Sequence, residues 1–189
     1  MPEQTEQHEK TDTNDSEPPE PSSQGTASNT FLVEVTFDHD ISRSPDRGMI
    51  VDGVQAALRH RGYLQGQMGV RVTTDDTIRE LNQRHLEHDY ATDVISFGYH
   101  ADGRVIDGEM VISIDTAARE SATRSVSVDE EICLYAIHGT LHVTGMDDHD
   151  PHDRMAMRLA ERAVLAKIGV LNVDRFMVDE DADVSESAS

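Results

Sequence analysis

Apolar residues between positions 31 and 171 recur at two spacings, and the changes of spacing delimit the predicted elements. Four short stretches are rich in β-branched or aromatic residues, or alternate with polar ones, as strands do: residues 31–37, 70–73, 94–99 and 109–114. Helical spacing predicts five helices: one after Ser44-Pro45, one over 74–86, one over 116–123, one from Ser127 or Asp129 toward Gly145, and one over 153–168. This order predicts a small mixed sheet packed with helices, an α+β or α/β domain.

The predicted helix starts depend on residues that suit the first turn. Ser44 precedes Pro45, and Asp115 can cap the helix that follows the fourth strand. In the last helix the arginines are expected to face outward. Its spacing places five apolar side chains inward: Met155, Leu159, Ala163, Val164 and Ile168.

Charge is distributed unevenly along the 189 residues, whose net charge is -21. Residues 1–30 carry seven acids and one Lys, and residues 172–189 carry six acids and one Arg, without apolar periodicity. Both segments are predicted to be disordered acidic tails around one folded domain, residues 31–171. That domain still has 24 acids against 14 bases, which argues against a broad basic face for nucleic acid.

The sequence also restricts location and metal chemistry. The N-terminus has no basic segment followed by an apolar one, and the longest stretch without Asp, Glu, Lys or Arg, residues 132–146, is short and includes two histidines. We therefore expect a cytoplasmic protein without a membrane segment. Because Cys133 is the single cysteine, a disulfide within the chain is excluded, and a bound metal needs His and carboxylate ligands.

The uncharged stretch contains a pattern of candidate metal ligands. His138 and His142 are four residues apart, so on a helix both imidazoles leave the same face and can reach one ion. Gly145 can adopt the left-handed conformation that ends a helix and turns the chain back. The pattern H-x-x-x-H-x-x-G-x-x-D then brings Asp148 to the third-ligand position of metzincin-type sites. Such a set suits zinc or another first-row divalent ion, with one position open for water.

Alternatives to this interpretation remain open. Ten histidines give about 0.5 such pairs by chance, so the prediction depends on the uncharged context and on the Gly-x-x-Asp that follows. His149 is the more usual zinc ligand and competes with Asp148, although its use lengthens the turn by one residue. Gly139 stands where an H-E-x-x-H metalloprotease has its glutamate base, which favours phosphodiester over peptide hydrolysis.

These residues resemble the YbeY family of endoribonucleases, also described as rRNA maturation factors. Two positions of the family signature H-G-x-L-H-x-x-G-Y-D-H differ in this chain: Met146 replaces the aromatic residue, and Asp148 stands where the third metal-binding His is usual. The signature is matched at six positions: His138, Gly139, Leu141, His142, Gly145 and Asp147.

A second stretch, residues 81–97, is similar to the family motif L-N-x-x-[aromatic]-R-x-x-D-x-x-T-[ND]-V-L-S-F. Leu86 replaces the Arg of the motif, which makes Arg84 the candidate for a cationic contact to substrate. Three polar residues of this stretch are candidates for contacts to substrate or to the metal ligands, and structural hydrogen bonding explains them equally well: Thr92, Asp93 and Ser96.

The resemblance covers about residues 31–171 and implies a compact α+β domain. In this fold a four-stranded mixed sheet packs with about five helices, and the metal site lies on a helix that ends at a Gly turn. The implied activity is single-strand-specific endoribonuclease, a hydrolase of phosphodiester bonds, with one Zn2+ per chain held by His138, His142 and Asp148. The implied role is late 3′-end maturation of small-subunit rRNA and ribosome quality control. The expected partners are rRNA and the small ribosomal subunit, with a ribosomal protein as a further candidate and no DNA or membrane partner.

Two other functions stay open. One is a ribosome-assembly binding factor with a structural metal, which is supported by Leu86 at the position of the family's Arg. The other is a metzincin-like metalloprotease, which Gly139 disfavours. Because phosphate contacts normally supply most of the affinity for RNA, an acidic enzyme is expected to gather its arginines near the cleft: Arg59, Arg61, Arg71, Arg79 and Arg84.

Overall fold

The structure is a computed structural model that describes residues 30–86 and 89–171. The predicted acidic tails lie outside the described residues except for Thr30, and so do the side chains of His85 and Leu86. The order of the described elements is the one predicted: β1 (Thr30–Phe37), α1 (Arg47–His60), β2 (Gln65–Thr73), α2 (Asp75–Leu86), β3 (Val94–Asp102), β4 (Val105–Ser113), α3 (Ile114–Arg124), α4 (Val128–Val143) and α5 (Pro151–Lys167).

The four strands form one mixed sheet in the order β1-β2-β4-β3. β1, β2 and β4 are parallel, and β3 returns antiparallel to β4 as a hairpin. Parallel neighbours need a crossover connection, which α1 supplies between β1 and β2. The prediction of an α+β domain with a four-stranded mixed sheet and five helices is confirmed.

The helix α4 lies in the middle of the packing. Its Ile132 and Tyr135 belong to the core that the sheet forms with α1, whereas Leu134 and Leu141 belong to a second core with α5. A helix that is apolar around its whole circumference is buried on all sides, and α4 is buried over residues 131–141. The other face of the sheet is covered in part by α2, through Ile78. None of the helices in the described residues is long and apolar enough to cross a membrane.

Strands β2, β3 and β4 are longer than predicted. β2 begins at Gln65 rather than at residue 70, because Gly66 and Gly69 belong to the strand. A side chain at Gly66 would collide with the carbonyl oxygen of Ile106 on β4, so glycine permits the close approach of the two strands. The turn of the β3–β4 hairpin lies at Gly103, whose φ is 56°.

Three helix starts differ from the predicted ones. The side chain of Asp46 caps α1 by accepting hydrogen bonds from the backbone of Gly48 and Met49, so Ser44 does not. Ser113 caps α3 in place of Asp115, and Asp150 caps α5, which begins two residues earlier than predicted.

The predicted inward face of α5 was wrong in its first half. Met155 and Leu159 are 52% and 55% exposed. The buried face of this helix consists of other residues: Met157, Ala160, Glu161, Val164 and Leu165. The periodicity failed because a glutamate lies in the middle of the buried face, and an apolar pattern counts glutamate as polar.

Candidate metal centre

The ends of α4 are both fixed by local hydrogen bonds. At its start Ser127 and Glu130 form a capping box, in which each side chain accepts from the other residue's backbone N–H. At its end Gly145 has a φ of 87°, its N–H donates to His142 O at 2.8 Å, and the N–H of Met146 donates to Leu141 O at 3.0 Å. This is a Schellman motif. It turns the chain back toward the last turn of the helix, as predicted from the position of Gly145.

The turn brings three predicted ligands together. His138, His142 and Asp148 each offer one donor atom, and these atoms lie within 4.8 Å of one another. The two Nε2 atoms are 3.0 Å apart, and the carboxylate oxygens of Asp148 lie 3.6 Å from His138 Nε2 and 3.7 Å from His142 Nε2. The imidazole rings are nearly perpendicular, with centroids 4.4 Å apart.

Hydrogen bonds on the other side of each ring decide which nitrogen carries the proton. His142 Nδ1 lies 2.9 Å from the carbonyl oxygen of Met146, and because a carbonyl oxygen only accepts, Nδ1 is the donor. His138 Nδ1 lies 2.6 Å from the carboxylate oxygen Oε1 of Glu161 and donates in the same way. In the neutral form of each ring, Nε2 therefore carries a lone pair and no hydrogen.

Two lone pairs and a carboxylate consequently face one another across a small space. This arrangement is repulsive by itself, and a cation placed among the three groups removes the repulsion. Burial, and after it the neighbouring His138, lowers the pKa of His142, so the neutral form that binds a metal is favoured.

The distances fit a single small ion. Two nitrogens that each lie 2.0–2.1 Å from a tetrahedral Zn2+ are separated by about 3.3 Å, close to the 3.0 Å between the two Nε2 atoms. The carboxylate oxygens need to approach by only a few tenths of an ångström. The side chain of Asp148 is 33% exposed, which leaves one side of the centre open to water and substrate.

The alternative ligand His149 points elsewhere. Its side chain is 87% exposed, its Nδ1 contacts Asp147, and the nearest oxygen of Asp148 is 3.9 Å away. Two further groups of acids and histidines occur in the described residues, one of them including Asp148, but both lie largely at the surface: Asp147, Asp148 and His149, and Asp150, His152 and Asp153. Exposed groups of this kind are common without a bound ion.

Gly139 is required by packing. A Cβ atom at this position would lie 3.0 Å from Ser96 Oγ, 3.0 Å from Val94 Cγ2 and 3.2 Å from Met110 Sδ. Even a Cβ atom requires these side chains to move by a few tenths of an ångström, and the longer glutamate of an H-E-x-x-H protease requires more space still. The structure therefore gives a steric reason for the glycine and strengthens the case against peptide hydrolysis.

The other predicted site residues are only partly near the ligands. Ser96 faces Gly139, the residue next to His138. Thr92 donates to Asp93 Oδ1, which also accepts from the backbone of Val94 at the start of β3. Arg84 lies on the exposed side of α2. The geometry thus brings Ser96 alone of these four against the residues of α4 that carry the ligands.

The expected gathering of arginines was wrong. Arg59 lies over the ring of Phe31 at the start of β1, whereas Arg71 forms a salt bridge with Asp38 just beyond the end of that strand. Arg79 pairs with Asp89 at 2.7 Å. Among the five, Arg61 alone makes a described hydrogen bond to the last turn of α4, from Nε to Thr144 Oγ1 at 3.2 Å.

One residue of the centre was missed by the sequence analysis. Glu161 is buried on α5, 23 positions from the histidine that it contacts. A signal for it exists, because an acid at a position where helical spacing requires an apolar residue needs a partner. The predicted face of α5 avoided that position instead.

Comparison with known proteins agrees with the resemblance. The family described as "Endoribonuclease YbeY" matches residues 38–169. Curated proteins named endoribonuclease YbeY include one from Rhodopirellula baltica, 44% identical over 61% of this chain and 60% of its own length, and one from Salinibacter ruber, 34% identical over 68% and 87%. A third, from Chlorobaculum parvum, is 33% identical over 67% of this chain and 89% of its own.

The solution structure of a protein from Thermotoga maritima is also similar, with 16% identity, 72% of this chain and 91% of that chain covered, and a TM-score of 0.49. The chain spans three fifths of the length of the Rhodopirellula relative and most of the length of the other two. Proteins named endoribonucleases are hydrolases that act on phosphodiester bonds. Because the family matches residues 38–169 and the relatives are more than 30% identical, the chain belongs to the YbeY family of endoribonucleases.

Proposed function

We propose that this protein is a metal-dependent endoribonuclease whose centre consists of His138, His142 and Asp148. The observation that carries the proposal is the pair of Nε2 atoms 3.0 Å apart, each ring holding its proton on the far nitrogen. This set of electron-rich atoms is suited to a divalent cation. One side of the set is open, as a catalytic site requires.

A bound divalent ion supplies a Lewis acid and activates water for attack on a phosphodiester. The chain's own contribution is to hold the donors in place. The Schellman turn orients His142 through Met146 O, and Asp148 reduces the net charge of the centre. We propose zinc as the ion, since two imidazoles and one carboxylate are a common set for it, with one ion per chain.

The substrate and place of action are also proposed. Family membership supports single-stranded RNA at the 3′ end of small-subunit rRNA, with ribosome quality control as the wider role and a cytoplasmic location. The small ribosomal subunit is then the assembly that the protein meets, and a ribosomal protein there is a partner that can offset its acidity. These assignments rest on the resemblance and not on the geometry of the centre.

The first experiment uses purified protein and single-stranded RNA with the sequence of the rRNA 3′ end. Wild type is expected to cleave it, a chelator to stop cleavage, and His142→Ala to lose the activity. The matched control is His152→Ala, an exposed histidine outside the centre, which is expected to cleave normally. Cleavage by His142→Ala at the wild-type rate contradicts the proposal.

The second experiment tests the cellular role. The 3′ ends of small-subunit rRNA are mapped in cells that lack this protein and are supplied with wild type or His138→Ala. Unprocessed ends with the variant, and mature ends with wild type, are expected. Normal ends without the protein would remove the processing role, and rescue by the variant would indicate a binding factor without chemistry.

A further inference from the structure

The buried glutamate on α5 has no role in the proposed reaction beyond its contact with one ligand. Glu161 is 3% exposed and lies among the apolar residues that pack α5 against α4. Burying a carboxylate is strongly unfavourable unless it is paired and hydrogen-bonded. An apolar residue here would serve the packing equally well, so the carboxylate requires another explanation.

The contact is specific in distance and direction. Glu161 Oε1 lies 2.6 Å from Nδ1 of His138, the ring nitrogen that points away from the centre. The opposite nitrogen of the same ring faces His142 and Asp148. The imidazole of His138 thus lies between the carboxylate of Glu161 and the candidate cation position. The same arrangement occurs in proteins where a carboxylate holds a metal-binding histidine.

The two histidines are held differently, and their surroundings explain why. His142 is the more exposed ring and is oriented by a neutral carbonyl within its own turn. His138 is almost entirely buried, and its partner comes from a separate helix. The partner of His138 is thus a carboxylate from another helix and that of His142 a neutral carbonyl, and a carboxylate partner of this kind holds a metal-binding histidine in a fixed orientation.

We infer that Glu161 is a positioning residue: it keeps the proton of His138 on Nδ1, fixes the direction of Nε2, and thereby sets the affinity of the centre for its cation. This inference rests on the proposed metal centre. It assigns α5 a part in metal binding and not only in packing.

The test measures metal affinity in the full chain. Dissociation constants for Zn2+ are obtained by competition with a chromophoric chelator, and the visible spectrum of bound Co2+ reports the ligand geometry. Glu161→Gln keeps the volume but removes the charge, and it is expected to weaken Zn2+ binding about 10- to 100-fold and to alter the Co2+ spectrum. Glu80→Gln, the same change on the exposed side of α2, is expected to leave both unchanged.

A second variant separates positioning from packing. Glu161→Met replaces the buried charge by an apolar side chain of similar length, which the packing of α5 is expected to tolerate. Thermal unfolding of the metal-free proteins verifies that each variant is folded. If either folded variant binds Zn2+ with wild-type affinity and gives the wild-type Co2+ spectrum, the inference is overturned.

The outcome also distinguishes this inference from the proposed function. Wild-type binding that His142→Ala abolishes but Glu161→Gln does not change removes the role of Glu161 and leaves the metal centre. Absence of Zn2+ binding by wild type removes both.

Discussion

At the scale of single residues, Asp148 determines the charge of the candidate centre. Its carboxylate faces both Nε2 atoms, whereas the family signature has a neutral histidine at this position. A divalent ion held by two imidazoles and one carboxylate keeps a net charge of one instead of two. The chain therefore contributes a harder donor than imidazole, one that zinc accepts and that manganese or magnesium favours more strongly.

The choice between the two candidate third ligands gives the first prediction. Asp148→Ala is expected to weaken Zn2+ binding by more than about 100-fold, because even residues that only hold a ligand contribute 10- to 100-fold. His149→Ala is expected to retain the ion, since that side chain points to solvent and to Asp147. Bound zinc per chain after dialysis checks both variants. Equal retention of zinc in the two would mean that neither residue is a ligand.

At the scale of elements, the centre depends on how closely α4 approaches the sheet. Gly139 faces β3, and Gly108 of β4 lies beneath Val143, where a Cβ atom would be 2.7 Å from Val143 Cγ1. These two glycines let the helix turn that carries the histidines lie against the β3–β4 hairpin. The spacing of the two histidines along the helix places them at one centre only if the helix is held there.

Gly139→Ala is accordingly expected to destabilise the fold. Overpacking of a tight site costs about 1–3 kcal/mol, which exceeds the roughly 0.5–1 kcal/mol that alanine gains over glycine in a helix. Urea unfolding of the metal-free protein measures the difference. The control is Gly98→Ala in β3, where the nearest atom to the added Cβ is 3.6 Å away, an ordinary van der Waals contact. A variant at Gly139 as stable as wild type would contradict the tight packing.

A salt bridge between Asp38, just after β1, and Arg71 of β2 makes the free energy of unfolding depend on pH. The hydrogen-bonded Arg71 guanidinium lowers the pKa of Asp38, and Thr73 adds to this, although burial opposes it. The unfolded carboxyl has a pKa of about 3.9, so the stabilisation is present above that pH and is lost as the pH falls through the lower value in the folded protein.

Asp38→Asn is therefore expected to be less stable than wild type at pH 7, by about 1 kcal/mol or less because Arg71 is partly exposed. The difference should shrink below about pH 4, where wild type also loses the charge. Thermal unfolding at pH 7 and below about pH 4 measures the difference in stability. Asp102→Asn, at an exposed position, is the control. A difference that stays constant with pH would exclude the ion pair as its cause.

The elements also show which features could be predicted from the sequence and why the others could not. Local signals were sufficient for α4, because the uncharged run, the serine cap and Gly145 all act within the helix or its turn. They failed where a distant partner decides, as for Gly66, which is a strand residue only because β4 lies beside it. The same holds for Glu161, whose burial depends on His138 and not on its own neighbours in α5.

At the scale of the whole molecule, the charge is the feature that an RNA enzyme must accommodate. The two terminal segments, residues 1–30 and 172–189, carry 13 of the 37 acids, and the family match ends at residue 169. Several arginines of the domain are already paired with carboxylates, among them Arg71 and Arg79. A negative field around the domain therefore opposes RNA unless a cation or a basic partner offsets it.

The C-terminal segment allows a direct test of that field. Six acids lie there and can be replaced by amides in the full chain: Asp174, Asp179, Glu180, Asp181, Asp183 and Glu186. Because these charges repel phosphates, the variant is expected to bind single-stranded RNA about threefold more tightly at low salt. The gain should disappear toward physiological ionic strength, where the screening length is about 8 Å. Fluorescence anisotropy over a salt series measures this, with Ser185, Ser187 and Ser189 changed to Asn as the uncharged control. If the variant and control bind alike at every salt concentration, the segment's charge does not reach the RNA, and the acidity of the domain alone sets the electrostatic cost that the metal centre must overcome.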